Sequence, residues 1–265
     1  MKRRHFLSNT ALTTAGVLSI PNLSLGTLSS DFQMIDLHCH MTNSFTIDKI
    51  MKISEERNVK FGIVEHPGKW AAIKNDDDLR RYIEKLRAYP VFIGLQPMFR
   101  NWSQDFSQDL LDELDYVLMD PQTIPLGDGK YNRIWQLDSH VEDIEVFMEQ
   151  YMTHSVDILE NEPINIFGWP LFLPVCIARD YYKIWTEDRM ELIISKAKSR
   201  GIAIEINQMA HVPHEAFIKM AKSEGIKFSF GSDSRTPMAG YLPYCKEIIE
   251  KCSLASDDMY VPGNS

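Results

Sequence analysis

A chain of 265 residues with 44% hydrophobic and 25% charged side chains has the balance of a globular protein and the length for one large domain around a single core. It holds no apolar run of the roughly 18–20 residues that a membrane-spanning helix needs. The net charge is −9, and residues 1–30 carry three Lys/Arg and no acid, so the remainder is more acidic still. Such a surface is a poor partner for nucleic-acid phosphates or anionic lipid, which leaves a small molecule as the expected partner and says nothing of oligomeric state.

The first thirty residues differ in kind from the rest. Lys2-Arg3-Arg4-His5-Phe6-Leu7 sets paired arginines before a Phe-Leu pair, and the weakly apolar stretch 11–20 ends at Pro21. That order reads as an export signal of the twin-arginine sort, and hence as a periplasmic destination. Residues 1–30 are therefore set apart as a signal, 31–255 as the folded domain and 256–265 as a tail. The four cysteines make no disulfide framework. Cys39 stands between two candidate ligands and Cys176 is isolated, while Cys245 and Cys252 lie two helical turns apart, about 10 Å, beyond disulfide reach.

From residue 32 a short β-rich apolar run, a polar exit and a helical stretch recur. The runs are 32–37, 60–64, 91–95, 116–119, 164–167, 202–206 and 226–230. Helical patterns are expected at 46–58, 76–89, 141–151, 186–199, 213–223 and 244–252. Ser139-x-x-Glu142 has the spacing of a capping box, Pro213 suits a first helical position, and Gly201 and Gly225 suit helix C-caps. Seven such units predict an α/β fold in which a parallel sheet closes into a distorted (β/α)7 barrel. An open doubly wound sheet is the competing topology, weakened by the lack of a glycine-rich loop after the first strand.

A barrel of this type carries its site at the C-terminal ends of its strands. Here those ends read His38-Cys39-His40, Glu65-His66, Gln96, Asp120, Trp169, Glu205 with Asn207, and Asp233. His38 and His40, two apart on a strand, leave the same face and can converge on one cation, with Cys39 packing on the other face. Asp233, closing the last strand, can complete that ligand set or take a proton from water held there. Glu65, His66 and Asp120 are further candidate ligands. His66 is equally a candidate acid or base, or a hydrogen-bonding neighbour of the ligands. Glu205 is expected to tie loops together. Arg235 could hold an anionic group bidentately, or form a salt bridge to Asp120 or Glu65. His211, in the loop after the sixth strand, could touch substrate. His140, His154 and His214 are expected exposed or at helix ends, and Trp102, Trp135 and Trp185 in packing or at a rim.

Taken in order, Asp36-Leu37-His38-Cys39-His40, Val64-Glu65-His66, Asp115-Tyr116-Val117, Ile204-Glu205-Ile206-Asn207 and Gly231-Ser232-Asp233 resemble the polymerase and histidinol phosphatase (PHP) superfamily over residues 31–250. The resemblance implies a distorted seven-strand barrel, up to three divalent ions and, often, phosphoester hydrolysis. The departures reduce that ligand set. Arg235 stands where the family has histidine, Trp169 replaces the histidine of a Gly-His-Pro strand end, and Gln96 replaces a metal-bridging carboxylate. Asp120 and Gln122 take the place of a fourth-strand histidine, and the ligand expected shortly after His-x-His falls near Phe45 or Thr46. What remains, His38, His40 and Asp233, suits one divalent ion, Zn, Mn or Fe, with room for a weak second. The expected function is an exported metal-dependent hydrolase of a phosphoester or other small anion. An amide or lactone hydrolase and a non-catalytic binding barrel are the alternatives.

Overall fold

Residue by residue, the sheet is built where β-branched and aromatic runs meet. The computed structural model describes residues 32–263; the expected export signal at 1–30 lies outside them. In chain order the elements are β1 (Met34–Cys39), α1 (Ile47–Arg57), β2 (Val59–Glu65), α2 (Asp76–Leu86), β3 (Phe92–Leu95), α3 (Gln108–Leu111), β4 (Tyr116–Met119), β5 (Thr123–Gly127), β6 (Lys130–Arg133), α4 (Ile144–Asn161), β7 (Ile166–Phe167), α5 (Tyr181–Ile184), α6 (Glu187–Arg200), β8 (Ala203–Asn207), α7 (Glu215–Ser223), β9 (Phe228–Gly231) and α8 (Pro243–Cys252). Strands β1-β2-β3-β4-β7-β8-β9 form a closed parallel barrel, as the alternation predicts. The open-sheet alternative fails at the seam, where Asp36 pairs with Phe230 and Cys39 bridges Ser234.

The longer helices bury one apolar face, as Ile47, Ile50 and Ile53 do on α1, which is the amphipathic solution for an outer layer. Asn75 caps α2 by accepting from the Asp78 amide, and Gly201 ends α6 in the left-handed conformation. Helix α4 departs from expectation. Asp143, not Ser139, is its N-cap, accepting from the Glu145 and Val146 amides, and it runs ten residues beyond 151, to Asn161. His154 therefore sits on its inner face, buried at 3% exposure, and not at an exposed helix end. Pro213 stands before the N-cap His214 and not inside α7; its carbonyl accepts the Tyr244 hydroxyl.

Strand β1 carries the feature that most affects the site. Asp36 pairs with Phe61 but Cys39 with Ile63, so β1 holds one residue more than its partner over that step. A bulge of this kind re-aims the side chains beyond it. Leu37, within the core cluster of Ile35, Val64, Tyr116, Leu118, Ile166 and Ala203, is thus followed at once by a site residue, His38. Below the site the Tyr116 hydroxyl donates to the Leu37 carbonyl. Gly62 and Gly94 leave the room, since a Cβ on either would lie within 2.6 Å of the Tyr116 side chain. Residues 259–261 also pack onto the barrel. The Tyr260 amide donates to the Phe228 carbonyl, and Tyr260 and Val261 pack against the core cluster.

The unexpected element is the two-stranded β5–β6 sheet. Asp128 and Gly129 form its two-residue turn, both with positive φ (51° and 72°), the combination a tight hairpin favours. It holds Gln122 and Trp135 at its two ends, with the Ile134 amide donating to the Gln122 carbonyl.

Candidate metal centre and cavity

The strand exits of β1 and β9 meet because the barrel closes between them. The His40 amide donates to the Ser234 carbonyl, and the buried Asp36 carboxylate accepts the amides of Ser232 and Gly240, both at 2.9 Å. That seam delivers Asp233 to the histidine pair. Asp233 Oδ1 lies 3.4 Å from His38 Nε2 and 3.2 Å from His40 Nε2. One ligand atom from each of the three residues lies within 4.8 Å of the others, the spacing of atoms sharing one cation. Asp233 and Trp169 hold left-handed backbone (φ 47° and 43°), the kind of strain that clusters at sites.

The donor chemistry fits an ion. His38 Nδ1 lies 2.7 Å from Glu205 Oε1. An ionised carboxylate only accepts, so Nδ1 carries a proton toward Glu205 and Nε2 is the nitrogen that faces Asp233. A ligand histidine is commonly fixed by such a carboxylate. The other Glu205 oxygen accepts the Trp169 amide at 2.7 Å, tying β7 to β8 as expected of this residue. Gly231 makes room, because a Cβ there would lie 1.9 Å from Glu205 Oε1. Among the described residues, His38 Nε2 and His40 Nε2 are both buried without a hydrogen bond of good geometry and face only Asp233 Oδ1, an arrangement that a ligand ion would satisfy. Substituting Glu205→Gln is expected to lower metal affinity by about 10–100-fold, read by competition with a chromogenic chelator. Unchanged affinity would deny Glu205 that orienting role.

No family model and no curated protein matches the chain. Among solved structures, a chain of an archaeal ribonuclease P with mature tRNA superposes at TM-score 0.41 and 11% identity, over 84% of this chain and 90% of its own. An HpcH/HpaI aldolase from Desulfitobacterium hafniense DCB-2 gives TM-score 0.37 and 13% identity, over 84% and 94%. At these scores neither likeness bears on what the chain does.

Charge at the trio is shared between His38 and two carboxylates, Asp233 and Glu205. Burial opposes a charged His38, but Asp233 and Glu205 outweigh it and raise its pKa to about 9. Burial also acts against the Asp233 carboxylate, and His38, His40 and Arg235 together hold it well below the usual range. Burial and the neighbouring His38 push His40 down to about 3, which keeps that imidazole neutral and available as a ligand.

The other predicted residues divide. His66 Nδ1 donates to the Gln96 carbonyl at 2.8 Å, leaving Nε2 with a lone pair, and its ring centroid stands 5.1 Å from that of His40. It lines the cavity beside the trio without joining it. Burial depresses its pKa. Glu65 is turned back onto the His66 amide and lies outside the trio. Asp120 accepts from Gln96 Nε2 (2.9 Å) and the Gln122 amide (3.0 Å). It too lies outside the trio, its pKa raised by burial to about 6. Arg235 pairs with neither Asp120 nor Glu65; its Nη1 donates to Asp233 Oδ1 at 2.6 Å. His211 is exposed and stacked on Tyr244 at 4.6 Å. It borders a neighbouring recess with Tyr181 and His214, not the cavity at the trio, because the loop after β8 turns its Met209 and Ala210 inward instead.

That cavity, of about 570 Å³, is walled by Asp233, Arg235, His66, Asp120, Gln96 and Gln122 with Met98, Trp135, Trp169, Phe172, Met209 and Ala210. Trp169 and Arg235 thus line one cavity with Asp233, and His38 is not part of its wall; Trp135 is among the rim residues. Met98, Phe172 and Met209 were not legible, since each lies in a loop after a strand exit with no period to reveal its direction.

Proposed function

We propose that this chain is a metal-dependent hydrolase with a reduced, PHP-like site that holds one divalent ion, Zn, Mn or Fe, and that it works after export. The observation that carries this reading is the pair of buried imidazole nitrogens without a hydrogen bond of good geometry, His38 Nε2 and His40 Nε2, turned on one oxygen of Asp233. A divalent ion held by these residues supplies Lewis acidity, lowering the pKa of water toward about 7 and polarising a substrate oxygen. His66, neutral and with Nε2 free, moves protons at the cavity face. Glu205 holds the His38 tautomer. With His38 and His40, Arg235 helps hold Asp233 ionised, and it presents its remaining donors to the mouth, where its side chain is 43% exposed. Trp169 and Phe172, edge to face at 5.0 Å, narrow the cavity and exclude water.

The test is turnover of nitrophenyl phosphate, nitrophenyl acetate and a nitroanilide by the full chain with one equivalent of zinc or manganese. Hydrolysis of at least one, lost on chelation and reduced about 10²–10⁴-fold by His66→Ala, is expected. Turnover that survives chelation would remove the metal from the reaction. None in any class with the ion bound would favour a binding barrel.

A further inference from the structure

Beside the cavity at the trio lies a second hollow, of about 280 Å³, and Phe172 and Ala210 border both. The two therefore adjoin along those residues, which belong to the connections that follow β7 and β8. A molecule seated against Trp169 and Phe172 in the first has the second immediately beyond Phe172.

The recess is built from rings. The connection from β7 to α6 supplies Tyr181 and Tyr182, and the loop after β8 supplies His211 and His214. Tyr181, Tyr182 and His214 meet edge to face with ring centroids 5.3–5.4 Å apart, a geometry in which aromatic rings attract. The Tyr181 hydroxyl lies 3.3 Å from His214 Nδ1. His211 stacks on Tyr244 at 4.6 Å. Tyr244 is fixed in turn, its hydroxyl donating to the Pro213 carbonyl at 2.7 Å and its amide to Gln208 Oε1 at 2.8 Å. These rings are held in place and yet stay accessible, for Tyr182 is 77% exposed and His211 is exposed beside it. Clustered aromatic surface left open to water next to a cavity marks a place where something binds.

The wall sets the chemistry of that occupant. Among the described residues no Asp, Glu, Lys or Arg lines the recess, and burial keeps the His214 imidazole neutral by lowering its pKa. A charged group would leave water there without a counter-charge. A sugar would meet neither a carboxylate nor a carboxamide to take its hydroxyls. An uncharged aromatic ring gains apolar burial and edge-to-face contact at once. On the other side of Phe172 the cavity offers Trp135 and Trp169, so the same argument seats a second ring there.

We propose that the recess is the distal subsite of the cavity, and that the molecule recognised carries two uncharged aromatic groups. One lies against Trp135, Trp169 and Phe172, and the other crosses Phe172 to lie against Tyr182 and His211. The inference rests on the hydrolase reading only in calling that molecule a substrate; the recognition itself needs no turnover.

Ligand-observed NMR titration of the full chain, with and without one equivalent of zinc, tests it with four phenyl ketones on one frame. Acetophenone is the parent probe. Dihydrochalcone extends it by a second phenyl ring, phenacyl glucoside by a sugar and benzoylpropanoate by a carboxylate. Dihydrochalcone is expected to bind at least about tenfold tighter than acetophenone, and the other two within about threefold of it. Tyr182→Ala, at an exposed position, should cut the dihydrochalcone gain to about threefold or less and leave acetophenone unchanged, while Tyr182→Phe should retain the gain. His211→Ala should act as Tyr182→Ala does. No gain from the second ring overturns the inference, as does an equal gain from the sugar or the carboxylate. A gain that survives both alanine variants overturns it too, and so does a loss that falls on acetophenone as heavily as on dihydrochalcone. Because none of the probes carries an ester, amide or phosphate bond, a wrong metal assignment or an absence of catalysis leaves the recognition result separately readable.

Discussion

Substituting Asp233→Ala is expected to abolish stoichiometric binding of zinc, with a loss greater than the roughly 10–100-fold that follows from removing a hydrogen-bonding partner of a ligand. Asp233 supplies the only carboxylate in the trio, and both imidazoles face its Oδ1. Without it two neutral nitrogens remain, with the Arg235 guanidinium nearby and no counter-charge on that side. Asp233→Asn separates charge from shape, because an amide oxygen still accepts from Arg235. It should bind metal far more weakly than the parent while keeping its melting temperature. Metal titration followed by competition with a chelator checks both variants. A Kd within about threefold of the parent in Asp233→Ala would remove Asp233 from the ligand set.

Asp36→Ala is expected to cost on the order of 4 kcal/mol of stability, with three backbone amides left unpaired at about 1–3 kcal/mol each. The Asp36 carboxylate is fully buried and accepts from His38, Ser232 and Gly240, so it joins the first strand, the last strand exit and the loop before α8. Against a typical total of about 5–15 kcal/mol, such a loss places the variant near unfolding. Asp36→Asn keeps an acceptor oxygen and should lose less. Urea denaturation measures both. A change below about 1 kcal/mol in Asp36→Ala would mean that the seam is held by the strand ladder alone.

The contrast between these carboxylates shows what was legible in the sequence. Strand exits were, because an apolar β-branched run that stops at a polar residue marks both the end of a buried strand and the face where the site lies; His38, His40 and Asp233 were found this way. The role of Asp36 was not, since a carboxylate beside a motif gives no sign of which amides will meet it across the closure. The β5–β6 hairpin carries a readable signal, Asp128-Gly129 between two short β-prone runs. His154 was readable too, lying three residues after Tyr151 and four before Ile158 on the buried stripe of α4. The directions of Arg235 and Glu65 were not, because short-range hydrogen bonds to Asp233 and to the His66 amide decide them.

The bulge on β1 explains why the site can exist at all on this strand. Without the extra residue between Asp36 and Cys39, the alternation that sends Leu37 into the core would send His38 away from it. The sequence motif reports the histidines; the change of register that brings them onto Asp233 is a property of the strand pairing.

One ion, on the reading proposed above, is held by His38, His40 and Asp233. Crystals of the full chain soaked with zinc, with anomalous diffraction recorded at the zinc edge, test it most directly. A single strong peak within about 2.0–2.2 Å of His38 Nε2, His40 Nε2 and an Asp233 carboxylate oxygen is the predicted result. A peak held instead by Glu65 or Asp120, a pair of peaks, or none at the trio at full zinc occupancy elsewhere would contradict it.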